Sequence, residues 1–481
     1  MTHQQIPPFS RRRFLASLLG LASTGAAPFA LNLAAMGNAA AQSAGDYKAM
    51  VCLFMTGGND AFNTVLATDP TSWNEYVRLR HTGGAASIHL PGVGETGGVL
   101  PLVPATAQAG RAFALHPQLG PLKGLFDNGR AAIVANVGTL IGPTTLAQYQ
   151  AGSVALPPKL FSHNDQQSTW QSGAPEGAGT GWGGRIGDVT GAGNTHATFT
   201  AISAAGNTVF LSGRQVRQFQ VSQAGAVPIR GLSGSLFGSV AGAGALHAII
   251  NEAGGDLIEQ EHAAVVQRAM ASQGILGGAM LPAGTGGVPN PLPYINPNTG
   301  MAGANPLAVQ LQTVARIIAG RGALGIKRQV FYVTLGGFDT HDRQKVLHAD
   351  LMARLAHALA YFDSTLAALQ GVDLRRQVTT FTASDFGRTF SSNGDGTDHG
   401  WGAHHFVVGG AVKGRDIYGA FPATGLGHAL DVGAGALLPT TSVDQYGATL
   451  AKWFGVADSQ LAGVFPNIGN FSRRDLGFMT G

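Results

Sequence analysis

Cysteine is almost missing from this chain: Cys52 is the only one in 481 residues, so no disulfide can form within one molecule, whatever the redox state around it. Charge is also thin. Charged residues make up 12% of the chain, about half of the usual quarter, which argues against long solvated helices. Basic residues number 30 and acidic residues 26. Three arginines and no acids fall in residues 1–41, so the remainder holds 27 against 26. That balance implies no nucleic-acid partner and no anionic lipid surface. After residue 41 no apolar run reaches the length needed to span a bilayer. No fixed-period repeat, phosphate-loop motif or dinucleotide glycine motif occurs. The nucleophile-elbow pattern is absent too, since Gly231-Leu232-Ser233-Gly234-Ser235 ends in serine where glycine is required.

Glycine is plentiful, at 71 residues, and suits tight turns and close backbone approach. At the start, Ser10-Arg11-Arg12-Arg13-Phe14-Leu15 precedes an uncharged apolar stretch to about Ala35. Ala39-Ala40-Ala41 follows as a small-residue cleavage site. This is the pattern of a twin-arginine export signal over residues 1–41, with the mature chain opening near Gln42 and residing in the periplasm or beyond. After cleavage no stable membrane insertion is expected. An uncleaved anchor is the competing reading, and Gly20, Gly25 and Pro28 in the apolar stretch speak against it.

Residues 42–481 read as a single domain in which strand-like and helix-like runs alternate. Apolar runs at 49–55, 131–137, 329–335 and 378–383 read as buried strands, Cys52 being a core thiol in the first. Helical spacing covers 118–128 and 346–369, and Ser442-Val443-Asp444-Gln445 has the spacing of a capping box. Alternation of this kind predicts an α/β fold with a central, mostly parallel sheet and helices on both faces. Ligands in such folds lie at the carboxyl ends of the strands. Residues 82–98 and 274–305 read as loop insertions, rich in glycine and, in the second, proline and asparagine.

Four polar clusters follow strand ends: Gly57-Gly58-Asn59-Asp60, Ser162-His163-Asn164-Asp165, Gly336 to Asp342 and Ser384 to His405. Asp60, Asp339 and Asp385 would meet histidines such as His341 at one sheet edge. Gathered carboxylates repel one another, and a divalent cation relieves the repulsion. Helix caps and buried hydrogen bonds would use the same residue types. Ser162 could attack as a metal-activated nucleophile, or Ser162-His163 could cap a helix. Arg388 could clamp a phosphate or sulfate, or pair with a structural aspartate.

The runs Gly57 to Asn63, Phe338-Asp339-Thr340-His341, Asp385 to Thr389, Gly396 to Gly402 and Val407 to Gly414 resemble the secreted bacterial DUF1501 family. That family is similar to the alkaline phosphatase and sulfatase superfamily. The resemblance implies a three-layer alkaline phosphatase-like sandwich with metal ligands at strand ends. It matches Asp60, Asp339 and Asp385 to metal aspartates and puts His399 or His404 at the last metal histidine. Ser162 or His163 falls near the nucleophile. His116-Pro117-Gln118-Leu119 resembles the Thr-Pro-Asn-Leu helix start of sulfatases. Phe386 stands where that superfamily has a histidine beside the aspartate, Arg343 stands where another is expected, and no Cys-x-Pro-x-Arg motif is present. The implied function is an exported hydrolase of phosphate or sulfate esters that uses a divalent ion (Zn, Ca or Mn). Ser162, His163 and Arg388 would be catalytic, and Asp60, Asp339, His341, Asp385, His399 and His404 would bind metal. Its partner would be a small anionic ester. The alternative is a non-catalytic secreted protein on the same fold that binds or assembles with another secreted protein.

Overall fold

Long uncharged runs have to be buried on both faces, and the chain does this with a nine-stranded sheet. The computed structural model describes residues 47–480, apart from 224, 227–230, 233, 253 and 254 and the side chain of residue 85. The export leader expected over 1–41 lies outside the described residues. The sheet strands are β1 (Lys48–Thr56), β2 (Ala131–Gly138), β3 (Ala201–Ser203), β4 (Phe219–Gln220), β5 (Arg328–Gly336) and β6 (Val378–Ser384). A separate hairpin, β7 (Arg388–Ser392) and β8 (Thr397–His399), follows. Then β9 (Ala403–Val408), β10 (Ile417–Tyr418) and β11 (Thr441–Ser442) return to the sheet. The order is β10-β2-β9-β6-β1-β5-β3-β4, with β11 also on β2. Every pairing is parallel except those of β9, which runs against both neighbours.

The principal helices are α1 (Pro70–Arg80), α2 (Gly120–Asp127), α3 (His163–Ser172), α4 (Trp182–Thr190), α5 (Val240–Asn251), α6 (Leu257–Ala279), α7 (Pro306–Ala319), α8 (Gln344–Leu366) and α9 (Val443–Phe454). Strand side chains alternate between faces, and β1 shows where each face leads. Val51, Leu53 and Met55 join a core with Leu125 of α2, Leu311 of α7 and Leu355 of α8. Met50, Cys52 and Phe54 join a second core with Trp170 of α3, Trp182 of α4 and Leu450 of α9. The result is the expected three-layer α/β arrangement, and the chain from Tyr47 onward clusters as one unit.

The apolar runs correspond to β1, β2, β5 and β6 to within a residue or so. The capping box forms: Ser442 Oγ accepts from Gln445 N–H, and Gln445 Oε1 accepts from Ser442 N–H. The 274–305 insertion needs correction. Residues 274–279 complete α6, and the loop proper carries a two-residue hairpin, Tyr294–Ile295 with Ala302–Gly303. Residues 82–98 contain one 3-10 turn, Gly84–Ala86. Among the described residues, no helix is long and apolar enough to cross a membrane.

Candidate metal centre

The carboxyl edge of the sheet gathers three loops. β1 ends into Gly57-Gly58, β5 into Gly337-Phe338-Asp339 and β6 into Asp385-Phe386. Gly57 (φ 119°) is required here, because a Cβ at that position would lie 2.3 Å from the Asp339 backbone nitrogen. The β7–β8 hairpin brings His399 over the same edge, and α3 starts there with His163.

One donor atom each from His163, Asp339 and His399 lies within 4.8 Å of the others. Asp339 is the hub. Its Oδ1 is 3.0 Å from His341 Nε2 and 3.3 Å from His399 Nε2, and its Oδ2 is 3.5 Å from His163 Nε2. The other ring nitrogens decide the tautomers. His163 Nδ1 faces Asp385 Oδ2 at 2.7 Å, His399 Nδ1 faces the Phe161 carbonyl at 2.7 Å, and His341 Nδ1 faces Asp398 Oδ1 at 3.2 Å. Carboxylates and carbonyls only accept, so a proton on each Nδ1 satisfies these contacts, and in that tautomer each ring offers Nε2 on the Asp339 side, as a metal ligand requires. His341 Nε2 and His399 Nε2 then stand 3.0 Å apart. A proton on one of these nitrogens, or a cation, would bridge them.

Protonation follows the same contacts. The hydrogen bond to Asp385 raises the His163 pKa and outweighs burial. Burial lowers that of His399, against the pull of the Phe161 carbonyl. Burial works against the Asp339 carboxylate, but Arg388 overcomes it and the pKa is lowered. An ionised carboxylate and bare imidazole nitrogens suit Zn²⁺ or Mn²⁺ better than Ca²⁺, which prefers an all-oxygen set. The backing oxygens on each Nδ1 are the arrangement that orients histidine ligands.

Several expected site residues do other work. Asp60 is fully buried and not a ligand: Oδ1 accepts from Phe62 N–H and Arg80 Nη2, and Oδ2 from Arg80 Nη1 and Gln344 Nε2. With two donors on each oxygen, little lone-pair capacity remains. Asp385 accepts from Gly57 N–H on Oδ1 and from His163 and Gln167 on Oδ2, contacts that place it behind His163 as a positioning residue. His404 lies inside β9, accepts from Asn136 N–H and stacks on Phe421 at 4.4 Å. Burial pushes its pKa down to about 3. Ser162 donates to Asp165 Oδ2 at 3.0 Å, so its hydroxyl is turned into its own helix turn. Arg388, with a fully buried side chain, is not an anion clamp. Its guanidinium donates to the Thr397 carbonyl and hydroxyl, the Gly57 carbonyl and Asp339 Oδ1, and it holds Asp339 in place.

Phe386 fills space that a polar residue could have used. Its ring lies 4.8 Å from that of His163 and 4.7 Å from that of His399. Gly58 (φ 86°) makes room for it, since a Cβ there would be 2.5 Å from the phenyl edge. The Phe161 carbonyl was not foreseeable. It reaches His399 because Phe161 adopts φ 70°, a left-handed conformation that nothing in an aromatic side chain announces.

With this geometry in view, residues 47–462 match the model of a family described as "Protein of unknown function (DUF1501)". The chain belongs to the DUF1501 family. None of the curated proteins matches this DUF1501 chain. Solved structures with a similar layout include one from Bacteroides thetaiotaomicron (BT33494S-sulf, concerned with metabolism of multiple glycosaminoglycans), with 10% identity, 86% of this chain and 74% of that one covered, and a TM-score of 0.32. Another is BT1596, a 2-O GAG sulfatase, with 11% identity, 86% and 71% covered, and a TM-score of 0.29. The fold of the DUF1501 chain rests on its own strand order and its two cores.

Proposed function

We propose that this chain is an exported, metal-dependent hydrolase of phosphate or sulfate esters. The observation that carries the reading is the convergence of Asp339 with the Nε2 atoms of His163, His399 and His341 at the carboxyl edge of a parallel sheet. An ion held there would supply Lewis acidity and make a nearby water a better nucleophile. His163, Asp339 and His399 would hold it, with His341 beside them. Asp385, the Phe161 carbonyl and Asp398 fix the ring orientations, and Arg388 keeps Asp339 ionised. With the Ser162 hydroxyl committed to Asp165, water is the attacking group, and the ion itself would have to receive the anionic ester. The export part of the reading rests on the Ser10 to Ala41 pattern.

One observation favours a second reading, a binding or assembly protein without catalysis: Arg388 and Ser162 are both consumed by the fold. Metal analysis of protein purified without added ions, combined with assays on phosphate and sulfate esters, separates the two. The hydrolase reading expects a bound ion and turnover, both lost in Asp339→Asn. Bound ion without turnover on any ester supports the second reading. No bound ion, and no thermal shift on adding Zn²⁺ or Mn²⁺, removes the hydrolase reading.

A further inference from the structure

The insertion at 82–98 contributes nothing to the centre around Asp339, yet with the end of α1 it brings two imidazoles together. His81 Nδ1 and His89 Nδ1 are 3.1 Å apart, with the rings edge to face at 4.4 Å and 81°. The Ser87 hydroxyl, on a residue only 4% exposed, lies 2.6 Å from His89 Nδ1 and 3.4 Å from His81 Nδ1. The three atoms form a small triangle of two nitrogens and an oxygen.

The backbone builds the triangle. His81 N–H closes on the Val77 carbonyl at the end of α1, and the Arg80 carbonyl accepts from both Ile88 and His89 N–H at 3.2 Å. Gly83 (φ 81°) and Gly84 (φ 62°) turn the chain between them. Both imidazoles therefore start from anchored backbone. The Ser87 hydroxyl also faces the Arg80 carbonyl at 3.2 Å, and when it donates there its oxygen lone pairs are left to face the two rings.

We propose that His81, His89 and Ser87 form a second cation site, for Zn²⁺, Ni²⁺ or Cu²⁺, which ties the 82–98 insertion to the end of α1. Metal–nitrogen bonds of about 2.0–2.1 Å in a tetrahedral shell put two nitrogens about 3.3 Å apart, close to the separation seen here. Two imidazoles among three donors select a borderline ion over Ca²⁺ or Mg²⁺. Water completes the shell, since His81 is exposed. The proposal stands on residues separate from those of the hydrolase reading.

The test uses the full chain, stripped with a chelator and dialysed against Zn²⁺ or Cu²⁺ alone. Ions per chain are counted for the native protein, for His81→Ala/His89→Ala and for Asp339→Asn. The double variant should hold one ion fewer than the native chain, while Asp339→Asn keeps this ion. Zn²⁺ should slow proteolytic cutting within 82–98 in the native chain and not in the double variant. If the double variant does not fold, His81→Gln alone, at an exposed position, should weaken the site at least tenfold. An unchanged ion count in the double variant, or unchanged affinity in His81→Gln, overturns the proposal. Failure of the Asp339 centre would instead appear as an unchanged count in Asp339→Asn.

Discussion

Asp385 illustrates how far a residue's type can be read and where its role escapes. It follows an apolar strand, as a metal aspartate would, but a carboxylate's use depends on which donors arrive from elsewhere in the chain. Here Gly57, His163 and Gln167 fill it. The role of Asp60 escapes for the same reason, since nothing near it in sequence says that Arg80, twenty residues on, reaches back through the core. Asp339, His341 and His399 stand out in sequence as metal candidates because strand ends and histidines coincide there, whereas His163 reads as a residue near the nucleophile and not as a ligand. If Asp385 acts by orienting His163, Asp385→Asn removes the anion behind the ring yet keeps an acceptor for Gly57 N–H. Zn²⁺ affinity should fall about 10–100-fold, read by competition against a chromogenic chelator. A folded far-UV spectrum with unchanged affinity would refute that role.

Elements were more legible than residues. Strands buried on both faces need continuous apolar runs, which makes β1, β2, β5 and β6 visible in sequence. The short strand β3 and the edge strand β4 beside it have three and two residues, too few for any period to register. The antiparallel direction of β9 leaves no trace in its composition. Helix α9 was marked by its capping box, and it carries an electrostatic cost. Asp444 in its first turn is 5% exposed, and burial raises its pKa to about 6, against the hydrogen bond from Asn467 N–H and the charge of Arg185. A carboxyl with a raised folded pKa supports the fold most below about pH 4, and that support is lost as pH rises through about 6. The shift corresponds to about 3 kcal/mol. Asp444→Asn retains an acceptor for Asn467 and should be the more stable protein at pH 7.5, by up to that amount. Urea unfolding of both proteins at pH 4 and 7.5 measures it: the difference between them should vanish at the lower pH.

On the scale of the whole molecule, both cores enclose histidines that must stay neutral. Burial lowers the pKa of His348 to about 4 and of His404 and His405 to about 3, and holds His116 well below its usual range. The unfolded chain takes up these protons near pH 6.5, while the folded chain does so only at the lowered values. Stability from this source is therefore complete above about pH 6.5 and drains away as pH falls toward 4. Four such groups outweigh the opposite trend of Asp444. The urea midpoint should drop steeply between pH 6 and 4, and His404→Gln should flatten that slope; a level midpoint over this range would contradict the account. The distances along the chain between His163, Asp339 and His399 have one more consequence. A nascent chain contains all three only once it has been made as far as His399, so an ion can be captured only when α3, the end of β5 and the β7–β8 hairpin have come together. On the proposed reading of a metal-binding chain exported after it has folded, the concentrations of free metals at the place of synthesis, and not those at its destination, would choose which element it carries.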